Sequence, residues 1–192
     1  MRPNHDGKHG GHSSCELPLE RVQQALESLL FASPEPVSTH RLAKALGVPE
    51  SLVEEEMEKL IKSYSSNQRG ITIVKVADGY QMCTHPDFAP FVARLLEAAP
   101  VRLSRAALET LSIIAYKQPV TLPEIDTIRG VNSAGVVRTL LDRGLIEEAG
   151  RKDTVGRPVM YVTTKEFLVY FGLRDLSELP SLDELSPEAW GK

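Results

Sequence analysis

Apolar positions recur at helical spacing along most of this chain. From about Pro18 to Ala32, Leu19, Val22, Leu26, Leu29 and Leu30 fall on one face, which predicts an amphipathic helix. Ser33-Pro34-Glu35-Pro36 ends it, because proline disfavours helical geometry in the residue before it. A short helix over Ser38–Leu46 follows, closed by Gly47 as a left-handed cap. Pro49 opens a third, with Glu50 in its first turn and Val53, Met57, Leu60, Ile61 and Tyr64 on its buried face. The period then changes: Ile71–Val76 and Tyr80–Thr84 read as strands joined through Asp78-Gly79, a short hairpin signal. Asp87–Ala98 returns to helical spacing with Phe88, Phe91, Val92 and Leu95, until Pro100 stops it.

The pattern then starts again. Ser104 reads as an N-cap, with Leu103 and Leu108 spaced as a hydrophobic staple and Leu108, Leu111, Ile114 and Ala115 on the apolar face. Gln118-Pro119 ends this helix; Thr121-Leu122-Pro123-Glu124 is a capping box for the next, and Gly130 closes that one. Ser133–Arg143 forms a further helix ending at Gly144, and strands Leu145–Ala149 and Val159–Thr163 flank the loop Gly150–Pro158. A gap-free shift of 83 positions lays one half on the other. Phe31-Ala32 meets Ile114-Ala115, Pro36-Val37-Ser38 meets Pro119-Val120-Thr121, and Gly47-Val48 meets Gly130-Val131. Leu42 falls on Ile125, Val53 on Val136 and Met57 on Leu140. Three helices followed by a hairpin, twice over, predict an α+β, mainly α, chain of two tandem winged-helix domains. The boundaries are a disordered tail at 1–17, domains at 18–99 and 100–175, and an acidic tail at 176–192.

Composition narrows the function classes. No stretch approaches the ~20 apolar residues of a membrane span, and polar Met1–Leu19 has no signal core, so a cytoplasmic chain is expected. Two cysteines, Cys15 and Cys83, make a disulfide framework improbable. Residues 20–99 carry 8 Lys/Arg against 11 Asp/Glu, and residues 100–175 carry 11 against 9, so neither half is a strong phosphate binder.

Candidate chemistry is sparse. The sequence has no glycine-rich phosphate loop, no G-x-S-x-G and no H-E-x-x-H, so no catalysis and no cofactor are expected. Glu54-Glu55-Glu56 reads as a solvated helix face. His5, His9, His12 and Cys15 have the chemistry of zinc ligands, but no second cluster closes a site, so incidental composition is favoured and no metal is expected. His40 and His85 lack nucleophile partners. Gly150-Arg151-Lys152-Asp153-Thr154-Val155-Gly156-Arg157-Pro158 is a basic loop suited to a phosphate backbone, or simply a solvated hairpin in which Arg157 pairs internally. Ser133–Arg143 offers Arg138 and Arg143 beside Asp142, with no Asn, Gln or Lys to read base edges, and Glu54, Glu55, Glu56 and Glu58 repel phosphate in the equivalent helix.

The second half carries a resemblance. Ala107–Thr121 (ALETLSIIAYKQPVT) closely resembles the segregation and condensation protein B family. So do Glu124-Ile125, Ile128–Val131, Leu145–Glu147, Gly150–Lys152, Gly156–Pro158 and Tyr161–Thr164, with Glu166–Leu168, Phe171–Leu173 and Leu179-Pro180 completing the pattern. The resemblance covers 18–182 and is most specific over 104–182. It implies a bacterial, nucleoid-associated adaptor for chromosome condensation and partition, a homodimer formed chiefly through the first domain. It also implies binding to the kleisin ScpA and, through ScpA, to an SMC ATPase, with DNA contact weak or indirect. The alternative is a winged-helix transcription regulator. Phe88, Phe91, Val92 and Leu95 are the candidate dimer residues, since an exposed apolar helix face marks an interface. Tyr116, Gln118, Arg129, Arg157 and Tyr161 are the candidate kleisin contacts, since Tyr and Arg combine apolar area with directional hydrogen bonds.

Overall fold

A computed structural model describes residues 18–66, 69–97 and 102–181. The His-rich segment with Cys15 lies outside the described residues. The chain is a mixed, mainly helical fold with two hydrophobic cores. Around the first core, a single 3-10 turn (Leu19–Arg21) leads into α1 (Val22–Ala32), then α2 (Thr39–Leu46) and α3 (Glu50–Ser66). Val22, Leu26 and Leu30 of α1, Leu42 of α2, and Val53, Met57, Leu60 and Tyr64 of α3 are buried together. Leu19, expected on the buried face, is exposed, because the 3-10 turn departs from the α-helical register. The caps are those the sequence predicts: the Ser38 hydroxyl accepts from the Arg41 N–H, and Gly47 closes α2 at φ +69°. Glu56 of the acidic run is half-buried and accepts from Gln23 at 2.7 Å and Lys59 at 2.8 Å, while Glu54 and Glu55 face solvent.

Strands β1 (Ile71–Val76) and β2 (Gly79–Thr84) form the first hairpin, with Val76 opposite Gly79 as the last pair. Its two turn residues are therefore Ala77 and Asp78, at φ +48° and +55°, one position earlier than the Asp78-Gly79 the sequence points to. The reason lies far away in the chain. A Cβ at residue 79 would sit 2.9 Å from both the carbonyl carbon and oxygen of Val37. Val37 and Tyr80 exchange two backbone hydrogen bonds of 2.9 Å there. Gly79 is thus consumed by close packing, and Ala77 takes the left-handed position at a cost of roughly 1–2 kcal/mol. After a 3-10 turn at Pro86–Phe88 comes α4 (Ala89–Leu95), none of whose residues is buried; the predicted helix begins two residues later as α structure and ends sooner.

The second core repeats the plan with α5 (Arg105–Lys117), α6 (Leu122–Arg129) and α7 (Ala134–Asp142), then β4 (Ile146–Arg151), β5 (Val159–Thr163) and α8 (Lys165–Phe171). A two-residue strand, β3 (Val120–Thr121), precedes α6 and completes a sheet of order β3-β5-β4, all antiparallel. Ser104 caps α5, Thr121 and Glu124 form the capping box of α6, and Gly130 closes α6 at φ +71°. The apolar face of α5 differs from expectation at one position. Leu108 is exposed, and Thr110 is buried in its stead with its hydroxyl donating to the Ala106 carbonyl. Phe167 of α8 is buried in this core, and Leu173 and Leu179 pack against it.

Candidate partner-binding surfaces

Of the residues singled out as kleisin contacts, three gather where α5 meets the central strand β5. The Tyr116 hydroxyl at the end of α5 donates to the Pro180 carbonyl at 2.6 Å and holds the segment that follows α8. Gln118, the C-cap of α5, accepts through Oε1 from the backbone N–H of Thr163 at 2.6 Å and from its hydroxyl at 3.0 Å. Tyr161 faces Val120 of β3 and Glu148 of β4 across the sheet and is buried. Burial, with the Glu148 charge as a smaller contributor, pushes its phenol pKa up.

The other two lie apart. Arg129, at the end of α6, has a side chain only 10% exposed. Its guanidinium donates to the Ser133 hydroxyl at 2.9 Å and to Glu109 of α5 at 3.3 Å, while its buried Nε finds no partner. Glu109 is held below the usual carboxylate range by Arg105 and then by Arg129. Arg157 sits in the β4–β5 loop at φ +41°; its N–H donates to the Thr154 carbonyl, and its own carbonyl accepts from Arg151. Its side chain projects into solvent. Lys152 of the same loop is tied down by Glu124 at 2.5 Å, and Lys152, then Thr121, holds the Glu124 carboxyl at about 2.

Three of the dimer candidates, Phe91, Val92 and Leu95, lie on α4, and Phe88 ends the 3-10 turn before it. Phe91 is 59% and Leu95 82% exposed, Phe88 is exposed and Val92 half-buried. The Arg94 guanidinium stands 5.0 Å over the Phe91 ring. Two surfaces escaped the sequence reading. Phe31, at the end of α1, is 82% exposed beside exposed Ile71 and half-buried Met82; it aligns in the repeat with Ile114, which is fully buried, so the repeat gave no warning. The second is a cleft of about 540 Å³ between the two units, bordered by Pro36, Arg41, Asp78, Arg143, Lys165 and Tyr170. Among the described residues no helix is long and apolar enough to cross a membrane. Nor do three or more His, Cys, Asp or Glu side chains among them group as metal ligands.

Known proteins give these surfaces a family. The sequence profile described as "Segregation and condensation complex subunit ScpB" matches residues 24–182. Segregation and condensation protein B of Moorella thermoacetica is 50% identical over 167 residues, 87% of this chain and 86% of that protein. Its namesake from Desulforamulus reducens is 46% identical over 169 residues, 88% of this chain and 93% of that protein. Among solved structures, a dimer of an ScpB N-terminal domain complexed with a ScpA peptide is similar at 28% identity, covering 40% of this chain and 96% of that one with a TM-score of 0.38. With a family profile spanning both cores and relatives near half-identical over nearly their whole length, this chain belongs to the segregation and condensation protein B family.

Proposed function

We propose that this chain is a non-catalytic adaptor of an SMC–kleisin complex that condenses and segregates a bacterial chromosome. In this reading the two helix-and-hairpin units are tandem winged-helix domains. Residues 18–99 form a homodimer, residues 100–175 bind the kleisin ScpA, and ScpA links both to the SMC ATPase. The protein works in the cytoplasm on the nucleoid. The observation that carries the reading is the family match across residues 24–182, whose description is that of a complex subunit. The uncovered apolar face of α4 supports self-association, because contiguous exposed apolar surface marks protein contacts.

The test is co-expression with the ScpA of the same organism, followed by sizing chromatography with light scattering. A single peak containing a dimer of this chain and ScpA is expected. Separate elution, together with a salt-sensitive shift of duplex DNA, would replace this reading with that of a transcription regulator. Alanine variants sort the kleisin candidates. Arg157→Ala leaves the melting temperature unchanged and weakens ScpA binding by ~1–3 kcal/mol. Arg129→Ala lowers the melting temperature first, because its side chain is buried between α5, α6 and Ser133.

A further inference from the structure

At the tip of the first hairpin Asp78 is exposed, but Ala77 and the adjoining Val76 are buried, and neither core buries them. Val76 is 2% and Ala77 9% exposed, yet both stand outside the two clusters of core side chains. A two-residue hairpin turn ordinarily leaves its backbone donors to water, since the ladder ends before it. Here both turn donors are used. The Ala77 N–H donates to the Leu173 carbonyl at 3.0 Å and the Asp78 N–H to the Arg174 carbonyl at 2.9 Å.

The acceptor side is built for this. Gly172, at φ +68°, ends α8 in the left-handed conformation. The Leu173 N–H turns back to the Leu168 carbonyl, and the Arg174 N–H donates to Glu178 at 2.7 Å. With both donors of this turn engaged within their own unit, the two carbonyls are presented outward to the first hairpin. Side-chain charge follows the same path: Arg174 is held more firmly charged by Asp175, by Glu178 and, from the other unit, by Asp78. The left-handed Ala77 is a costly choice for a turn, and it puts an N–H where Leu173 accepts it.

We infer that the tip of the first hairpin is a clasp between the two units: Ala77 and Asp78 dock by backbone on the turn after α8 and fix the relative orientation of the two cores. While the clasp is closed the backbone donors at the tip of the first hairpin are taken, and the cleft bordered by Arg41, Asp78, Arg143 and Lys165 keeps its shape.

Two measurements on the full chain test this. Residue-resolved amide exchange should find the Ala77 and Asp78 amides at least ~10-fold slower than unpaired turn amides. Gly172→Val, which puts a β-branched residue at φ +68° where it is strongly disfavoured, should return both to the free rate while the β1–β2 ladder stays protected. Independently, Asp78→Cys with Arg174→Cys, in a chain carrying Cys15→Ser and Cys83→Ser, should cross-link within the chain under mild oxidation. Tip amides that exchange at the free rate in the unsubstituted chain overturn the clasp, as does a cysteine pair that stays unlinked in a folded chain.

Discussion

The helices that follow the two hairpins carry the same kind of sequence and meet opposite fates. In α8, Phe167 is 3% exposed, stacks 5.0 Å from Phe171 and completes the second core. In α4, Phe91 and Leu95 project into solvent, and the first core closes without them. The first core is already filled by the long α3, which brings Tyr64 as well as Met57 and Leu60 against α1, whereas the short α7 leaves room that α8 occupies. Helical periodicity measures how much apolar surface a segment offers. Whether its own unit takes that surface depends on what is already there, and what is left over is available for assembly.

The sharpest way to break this contrast is a pair of phenylalanine truncations. Phe167→Ala should cost about 3–5 kcal/mol in urea unfolding, the usual range for emptying an aromatic site in a core. Phe91→Ala should change stability by no more than ~0.5 kcal/mol while shifting the self-association seen by light scattering. Equal losses from the two would mean that α4 packs within its own unit and that the comparison is wrong.

The hairpins differ in the same sense and call for a smaller effect. Gly79→Ala pushes a methyl group into the Val37 backbone and should destabilise by about 1–3 kcal/mol. Gly156→Ala, at φ +83° with nothing near its added Cβ, should cost only about 1 kcal/mol, from backbone strain alone. Thermal unfolding of the two variants side by side reads the difference.

The smallest effect separates the units by pH. Glu124, held at about 2 against an ordinary 4.5 by Lys152 and Thr121, favours the folded state fully above about 4.5 and loses that contribution as the pH falls towards 2. Both partners of its ion pair are more than a third exposed, so the contribution is under ~1 kcal/mol. Glu124→Gln should flatten the acid limb of second-unit stability in that window, and an unchanged limb would show that the pair is silent.

Much of the local architecture was legible because caps are local chemistry. Ser38, Gly47, Ser104, Thr121 with Glu124, and Gly130 mark their helix ends wherever the rest of the chain goes. Apart from Leu19, displaced by a local 3-10 turn, the misreadings come from contact at long range. Gly79 looked like a turn residue because nothing near it in sequence announces Val37 as its neighbour. Two-residue β3 has no period to detect and exists because Val120 and Thr121 pair with β5 about 40 residues later. Leu108 and Thr110 exchanged roles because a satisfied hydroxyl is cheap to bury and the facing surface decides which side of α5 turns inward. Among the candidate contacts, residue type alone did not separate Arg129, enclosed against Ser133 and Glu109, from Arg157, whose side chain is free in the loop.

The second hairpin loop also has a practical meaning. Val155 at its tip is fully exposed, and the flanking strands are secured independently by Lys152 on Glu124 and by the pairing of β5 with β3 and β4. Chain inserted between Thr154 and Gly156 would leave both ends of the hairpin anchored. This is therefore the place to graft an epitope, a fluorophore or a protease site as a reporter, one that leaves both cores and the far hairpin untouched.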